Sequence, residues 1–264
     1  MLTAVKRQIK VAFLSIKYSI MMQMLNKVTF ITNVVFMILN NASFIIQWIV
    51  LFNLKSNIGG LKFNQVLLLW GIASGVYGVA HLFFEEAFNL SKLIINGKLD
   101  SFIVQPKNVL ISAITSRSRI SALGDLIYGY IVLLFYGITI KRFFLFSILI
   151  ICGGLICVEV AVIYNSLCFW FVKADTLADS LYISTVTFAT YPETIFKSSV
   201  KLILYTIIPA GLVAYIPFKI MLIFTIKEFL ILVSLIIVIG LFSLWIFNKG
   251  LKKYSSSSLM VSRI

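Results

Sequence analysis

Residues 28–54 read VTFITNVVFMILNNASFIIQWIVLFNL, a run from Val28 to Leu54 without one charged side chain. A helix needs about 20 mostly apolar residues to cross a bilayer core, so this stretch is long enough to span one and must tilt or protrude. The rest of the chain repeats the pattern. Of 264 residues, 61% are apolar and only 12% charged, against about 25% charged in soluble domains. No water-soluble fold hides that much apolar surface, and no polar stretch is long enough to build a soluble domain. A single membrane domain over residues 1–254 is expected, with 255–264 as a flexible tail opened by Ser255 to Ser258.

The net charge of +14 comes from 23 Lys and Arg residues, which lie mostly between the apolar runs, where basic residues hold a span's orientation against the headgroups. Nucleic acid is not needed to explain them. Cys152, Cys157 and Cys168 share one apolar stretch and contain no CxxC pair, so they read as small buried hydrophobes. Lys17 interrupts the N-terminal apolar pattern and no small-residue cleavage site follows, so a cleaved signal peptide is not expected.

Upstream of residue 28, Val5, Ile9, Ala12, Phe13, Ile16 and Ile20 recur at helical spacing, with Lys6, Arg7, Lys10 and Lys17 on the other side. The spacing predicts an amphipathic helix over 1–24, lying in the membrane interface or packed with a solvated face. Downstream, Phe63 to Phe84 is the second uncharged run, and Gly71, Gly75 and Gly78 mark a face where another helix can approach closely. The interval from Glu85 to Arg119 carries Lys92, Lys98, Lys107, Arg117 and Arg119. As the most basic loop between spans, it is expected on the cytoplasmic side.

Ile120 to Ile140 is the third predicted span, broken only by Asp125, and Phe143 to Val172 the fourth, broken only by Glu159. Lys141 and Arg142 are expected to form a tight outside turn between them, and Lys173 to Asp179 a short inside loop. The fifth span is expected over Leu177 to Phe196. Leu202 to Phe218, about 17 residues with Pro209, Gly211 and Pro217, reads as a broken pair of re-entrant half-helices or as the fifth span itself. Phe229 to Phe247 is the last span, and Lys249, Lys252 and Lys253 place the C-terminus inside.

Chemistry is sparse. No GxxxxGK[ST] loop is present, so the chain has no means of binding ATP by itself, and a single histidine with no G-x-S-x-G offers no nucleophilic triad. His81 and Glu85, spaced i, i+4, are two potential metal ligands without a third, so no metal is assigned and a polar helix end at the interface is expected there. Glu159, in mid-span, must face protein or a cavity. It is either a polar residue of a translocation path or a protonated group bonded between helices. Asp125, nearer a span end, leans to the structural side.

The segment Ile95-Asn96-Gly97-Lys98-Leu99-Asp100, continuing to Gln105-Pro106, resembles the ABC-2 family of exporter permeases, especially the branch of about this chain's length. Ala189-Thr190-Tyr191-Pro192-Glu193-Thr194-Ile195-Phe196 and the element from Ile207-Ile208-Pro209-Ala210 to Tyr215-Ile216-Pro217 are further matches. The resemblance implies an all-α fold of six transmembrane helices, with an elbow helix at 1–24, a coupling helix at 93–104 and an outer re-entrant hairpin at 202–218. It implies that Gly97, Lys98, Leu99, Asp100, Phe102 and Pro106 meet a separate ATPase subunit, which holds the ATP and Mg, and that the chain carries no cofactor. A second copy or a sibling permease would complete the path in a bacterial inner or plasma membrane, both termini cytoplasmic. The abundant aromatics favour an amphipathic or hydrophobic cargo. A membrane-embedded lipid-modifying enzyme, with Glu159 and Asp125 as its acids, and a secondary transporter are the alternatives. The first is short of acids and the second of visible inverted repeats.

Overall fold

In the computed structural model, residues 2–171 and 174–255 are described, and among them every regular element is helical. In chain order these are α1 (Leu2–Met24), α2 (Lys27–Leu54), α3 (Phe63–Phe84), α4 (Leu90–Ile95), α5 (Asp100–Ile103), α6 (Val109–Ile114), α7 (Ala122–Gly137) and α8 (Ile140–Ser166). They continue with α9 (Ala174–Ala189), α10 (Ser198–Thr206), α11 (Ile216–Leu222) and α12 (Ile226–Leu251). Short 3-10 turns follow α3, α8 and α9, and a π-helical turn, Gly211–Tyr215, leads into α11. The expected tail at 256–264 lies outside the described residues, as do Val172 and Lys173 of the expected fourth span and the loop after it.

Four helical stretches are long and apolar enough to cross a membrane, Lys27–Leu54, Phe63–Ile95, Ile140–Phe169 and Ile226–Leu251. A fifth arises if Ser198–Thr206 and Gly211–Leu222, bent by 85°, count as one. The chain is a multi-pass helical membrane protein. Of the six expected crossings, the third and fifth correspond to α7 and α9, helices of 16 residues each. At 1.5 Å per residue each is roughly 24 Å long, short of the ~30 Å hydrocarbon core.

Burial ranks the helices. Almost the whole of α3 is enclosed by protein, as expected of a helix apolar on every side. By contrast α2 and α12 present Phe36, Ile46, Val238 and Leu241 outward, the surface a bilayer would cover. The glycines predicted to line one face of α3 serve two neighbours. A Cβ on Gly71 would strike Val132 of α7 at 2.8 Å and one on Gly78 would strike Leu126, whereas one on Gly75 would strike Ile150 of α8 at 2.8 Å. The approach to α7 is closest at Gly129, where a Cβ would sit 2.7 Å from the Gly71 carbonyl oxygen.

Several expected boundaries move, each for a local reason. Lys141 and Arg142 do not form the turn after α7. Gly137, at φ +106°, makes it instead. The Thr139 side chain then caps α8 by accepting from the Arg142 amide, and the Arg142 guanidinium donates back to the Gly137 carbonyl at 2.8 Å. The fifth predicted span stops at Ala189 rather than Phe196, because Pro192 drives Tyr191 out of helical geometry. No continuous helix covers 93–104. Gly97, at φ +68°, ends α4, and α5 restarts at Asp100.

The 202–218 region is broken as its prolines predict. Helix α10 ends before Pro209, and the freed Ile207 carbonyl accepts from the Tyr164 hydroxyl of α8 at 2.7 Å. The Tyr215 hydroxyl, just beyond, donates to the Phe188 carbonyl of α9 at 2.6 Å. Interrupted backbone at membrane depth survives only with such internal partners.

The contact between α3 and α7 yields a prediction. Gly129→Ala forces backbone apart rather than a flexible side chain, so it should cost about 1–3 kcal/mol. Leu241→Ala, on the exposed face of α12, should cost well under that. Thermal unfolding in detergent compares the two, and equal melting points would contradict the packing assignment.

Candidate functional site

Helix periodicity brings one polar-aromatic face of α2 against one of α3. Met37, Asn40, Asn41, Phe44, Gln47 and Trp48 recur three or four residues apart along α2, as do Trp70, Ala73, Ser74, Tyr77 and His81 along α3. Tyr182, Val186, Thr190 and Tyr191, on and just beyond α9, form another wall, and Asp125 and Arg119 close it from α7 and the segment before it. The cavity, open along part of its rim, measures about 370 Å³, within the range of roughly 300–1,000 Å³ typical of small-molecule sites.

Asp125 is held at the meeting point of three helices. Its Oδ1 accepts from Asn41 Nδ2 at 2.6 Å, and its backbone carbonyl accepts from Ser74 Oγ at 2.8 Å. It occupies the first turn of α7, where the helix dipole favours a negative charge. No Lys or Arg comes within ion-pair distance of it among the described residues. Phe44 stacks on Trp70 with centroids 5.0 Å apart, and Trp70 Nε1 and Tyr77 Oη are buried without a protein partner.

Below the cavity lies a buried ionic network. His81 Nδ1 meets Glu85 Oε2 at 2.6 Å, Arg119 Nη2 donates to Glu85 Oε1 at 2.6 Å, and the Arg119 amide donates to the His81 carbonyl at 3.0 Å. An ionised carboxylate only accepts, so the imidazole carries a proton on Nδ1, and Nε2 is hydrogen-bonded to the Tyr182 hydroxyl. His81 also stacks on Phe88, centroids 4.1 Å apart. This corrects the expectation of a polar helix end at the interface: His81 and Glu85 are 4% and 3% exposed. Protein groups surround them because the loop bearing Arg119 folds back over the end of α3. Among the described residues no three His, Cys, Asp or Glu side chains gather as a metal site.

Glu159 is elsewhere. It sits in the seam of α8 and α12, its carboxylate 2.8 Å from where a Cβ on Gly240 would be, with Oε2 buried and unpartnered. It lines no part of the cavity between α2, α3, α7 and α9. Asp125, read as structural, does line it. Sequence alone ranked these two acids by depth in their runs, which says nothing of facing. A usable signal existed in Asn40, Asn41 and Gln47, amides repeated on one face of an otherwise apolar span.

The segment 93–106 is anchored and exposed in alternation. Leu99 is fully buried, Gly97, Asp100 and Phe102 are half-buried, and Lys98 and Pro106 are exposed. Tyr254, just past α12, lies beside Asp100. Burial, then that carboxylate, push its phenol above the ordinary tyrosine range. Of the hairpin residues, Pro209, Gly211 and Pro217 are all buried, and Gly211 is the position where a Cβ would strike the Tyr205 ring at 2.6 Å.

A family described as ABC-2 family transporter protein matches residues 37–258. No curated protein and no solved structure matches the chain.

The network makes a stability prediction. Arg119→Met leaves Glu85 buried with His81 alone. Removing one partner of a fully buried pair costs about 3–5 kcal/mol, and the half-exposed Arg119 side chain reduces this to roughly 1–3 kcal/mol. Adding Glu85→Gln should recover part of the loss. Melting temperatures of the two variants, with no recovery in the double, would refute the pairing.

Proposed function

This chain belongs to the ABC-2 family of transporter proteins, and we propose that it is the permease subunit of an ATP-driven exporter whose ATPase is a separate polypeptide. The observation that carries the reading is the segment around α5. A buried Leu99 pins it to the membrane domain while Ile103 and Val104, 40% and 82% exposed, face outward beside Lys98 and Lys107. An apolar, exposed pair on a short helix fixed at one side suits a partner's cleft, because a force on it passes to α6 and, through the adjoining α4, to α8 and α9 by packed side chains and not through slack chain.

In this reading Gly97, Lys98, Leu99, Asp100, Phe102 and Pro106 form the ATPase-coupling element, with Leu99 as internal anchor. ATP and Mg belong to the partner. The six crossings comprise α2, α3 continued through α4, α7, α8, α9 and α12. The pair α10 and α11, bent around Pro209, is the outer hairpin. Helix α1 is the elbow. Gln8, Ser19 and Gln23 bond it to the 108–120 segment while Ile9 and Phe13 stay exposed for the interface. Both termini are cytoplasmic in a bacterial inner or plasma membrane, and two permeases, identical or sibling, complete the route. Residues 1–254 act as one transmembrane domain.

The test is co-purification with candidate ABC ATPase subunits from the same organism. Val104→Asp and Ile103→Asp should leave the permease folded, abolish retention of the ATPase and reduce drug- or lipid-stimulated ATPase activity at least about tenfold, as expected for a central apolar anchor. Full retention and activity in both variants would remove the coupling assignment. Substitution at Leu99 is less informative, since its burial makes unfolding the first consequence.

A further inference from the structure

The walls of the cavity differ in kind. Phe44, Trp48, Trp70 and Tyr77 supply aromatic faces on one side, while Asn40 and Gln47 of α2 and Thr187 and Thr190 of the α9 side are polar and neutral. Besides the phenols of Tyr77, Tyr182 and Tyr191, three titratable or charged side chains face it. Arg119, the one Lys or Arg lining it among the described residues, is bonded to Glu85, and His81 is bonded to Glu85 and Tyr182. Asp125 is hydrogen-bonded by the neutral Asn41 amide, and the one cation that acts on it, Arg119, lies beyond ion-pair distance and is bonded to Glu85. The lining therefore holds one carboxylate with no ion-pair partner among the described residues.

A carboxylate away from bulk water is stabilised by an opposite charge, and an aromatic face attracts a cation through its quadrupole. An anion entering here would meet the Asp125 charge and the negative faces of the rings. A neutral apolar molecule would leave the Asp125 carboxylate without a counter-charge. We propose that the cavity is a binding site for an amphipathic organic cation, with Asp125 as its counter-charge and the rings of Phe44, Trp48, Trp70 and Tyr77 as its walls. This rests on the permease reading for its physiological meaning, since the cation would be the cargo, but the binding itself does not require an ATPase.

The chain alone, reconstituted in lipid nanodiscs, is therefore titrated with ethidium, a flat aromatic cation, and with anilinonaphthalene sulfonate, an aromatic anion, by fluorescence. Saturable ethidium binding is expected, and no saturable sulfonate binding. Asp125→Asn should raise the ethidium Kd about tenfold or more, the loss of one charge contact in a desolvated site. Asn40→Asp, on the exposed rim of the same wall, adds a second carboxylate without disturbing packing and should lower the Kd severalfold. If Asp125→Asn does not fold, Asn40→Asp and Phe44→Leu, which should weaken binding, decide the matter. Absence of saturable ethidium binding, an unchanged Kd in the folded variants, or tighter sulfonate than ethidium binding overturns the proposal. The permease reading stands or falls separately on ATPase retention.

Discussion

Where α3 crosses α7, two backbones touch. Gly129 leaves room for the Gly71 carbonyl where any Cβ would sit 2.7 Å away, and Gly78 admits Leu126 in the same manner. In hydrocarbon there is no hydrophobic drive between helices, because lipid tails are as apolar as leucine. Association then depends on dispersion at close range and on internal hydrogen bonds. That contact fixes the rest. With α7 pressed on α3, the Asp125 carbonyl reaches Ser74 and its carboxylate reaches Asn41, so α2 is drawn to the same corner. On the other side Gly75 and Gly154 seat α8, and Gly153 lets the Val213 carbonyl of the hairpin approach.

How much of this the amino-acid order discloses depends on the range of the interaction. Uncharged runs give helices directly, and α3 begins and ends at Phe63 and Phe84 as its run does, while α2 and α12 differ from theirs by a few residues. Pro209 announces the break between α10 and α11 because its missing amide and ring act on the adjacent turn. The end of α9 is harder to read. Apolar residues recur as far as Ile195 and Phe196, but Thr190, Pro192, Glu193 and Thr194 interrupt them, and the Pro192 constraint on Tyr191 keeps the helix from running on.

Pairings are a different matter. Arg119 meets Glu85 across 34 residues, Asn41 meets Asp125 across 84, and His81 meets Tyr182 across 101. Hydrophobic period says which side of a helix is apolar but not which neighbour its polar residues will face. Glu159 and Asp125 are alike in sequence, each a lone acid in an apolar run. Packing separates them, since Glu159 falls against Gly240 and Asp125 against Asn41. The segment 93–106 shows the intermediate case. Its glycine and its buried leucine are local facts, while the division into α4 and α5 follows from the positive φ of Gly97.

Helix α9 joins the cavity to the broken 198–222 segment. At its middle the Tyr182 hydroxyl bonds His81, at the base of the cavity. Near its C-terminal end, its Phe188 carbonyl accepts from Tyr215 of the broken hairpin, whose Lys219 in turn pairs with Glu193 at 2.6 Å. Tyr191, just past its end, packs edge-on to Trp48 of α2, centroids 5.8 Å apart. A helix of 16 residues tied at its middle and near its C-terminal end cannot slide along its axis without breaking one of those hydrogen bonds, and cannot roll without moving Tyr182 and Val186 out of the cavity wall. Rearrangement of the cavity is therefore coupled through this short helix to the broken 198–222 segment. The Arg119 network closes it from below, on the side of α4 and α5.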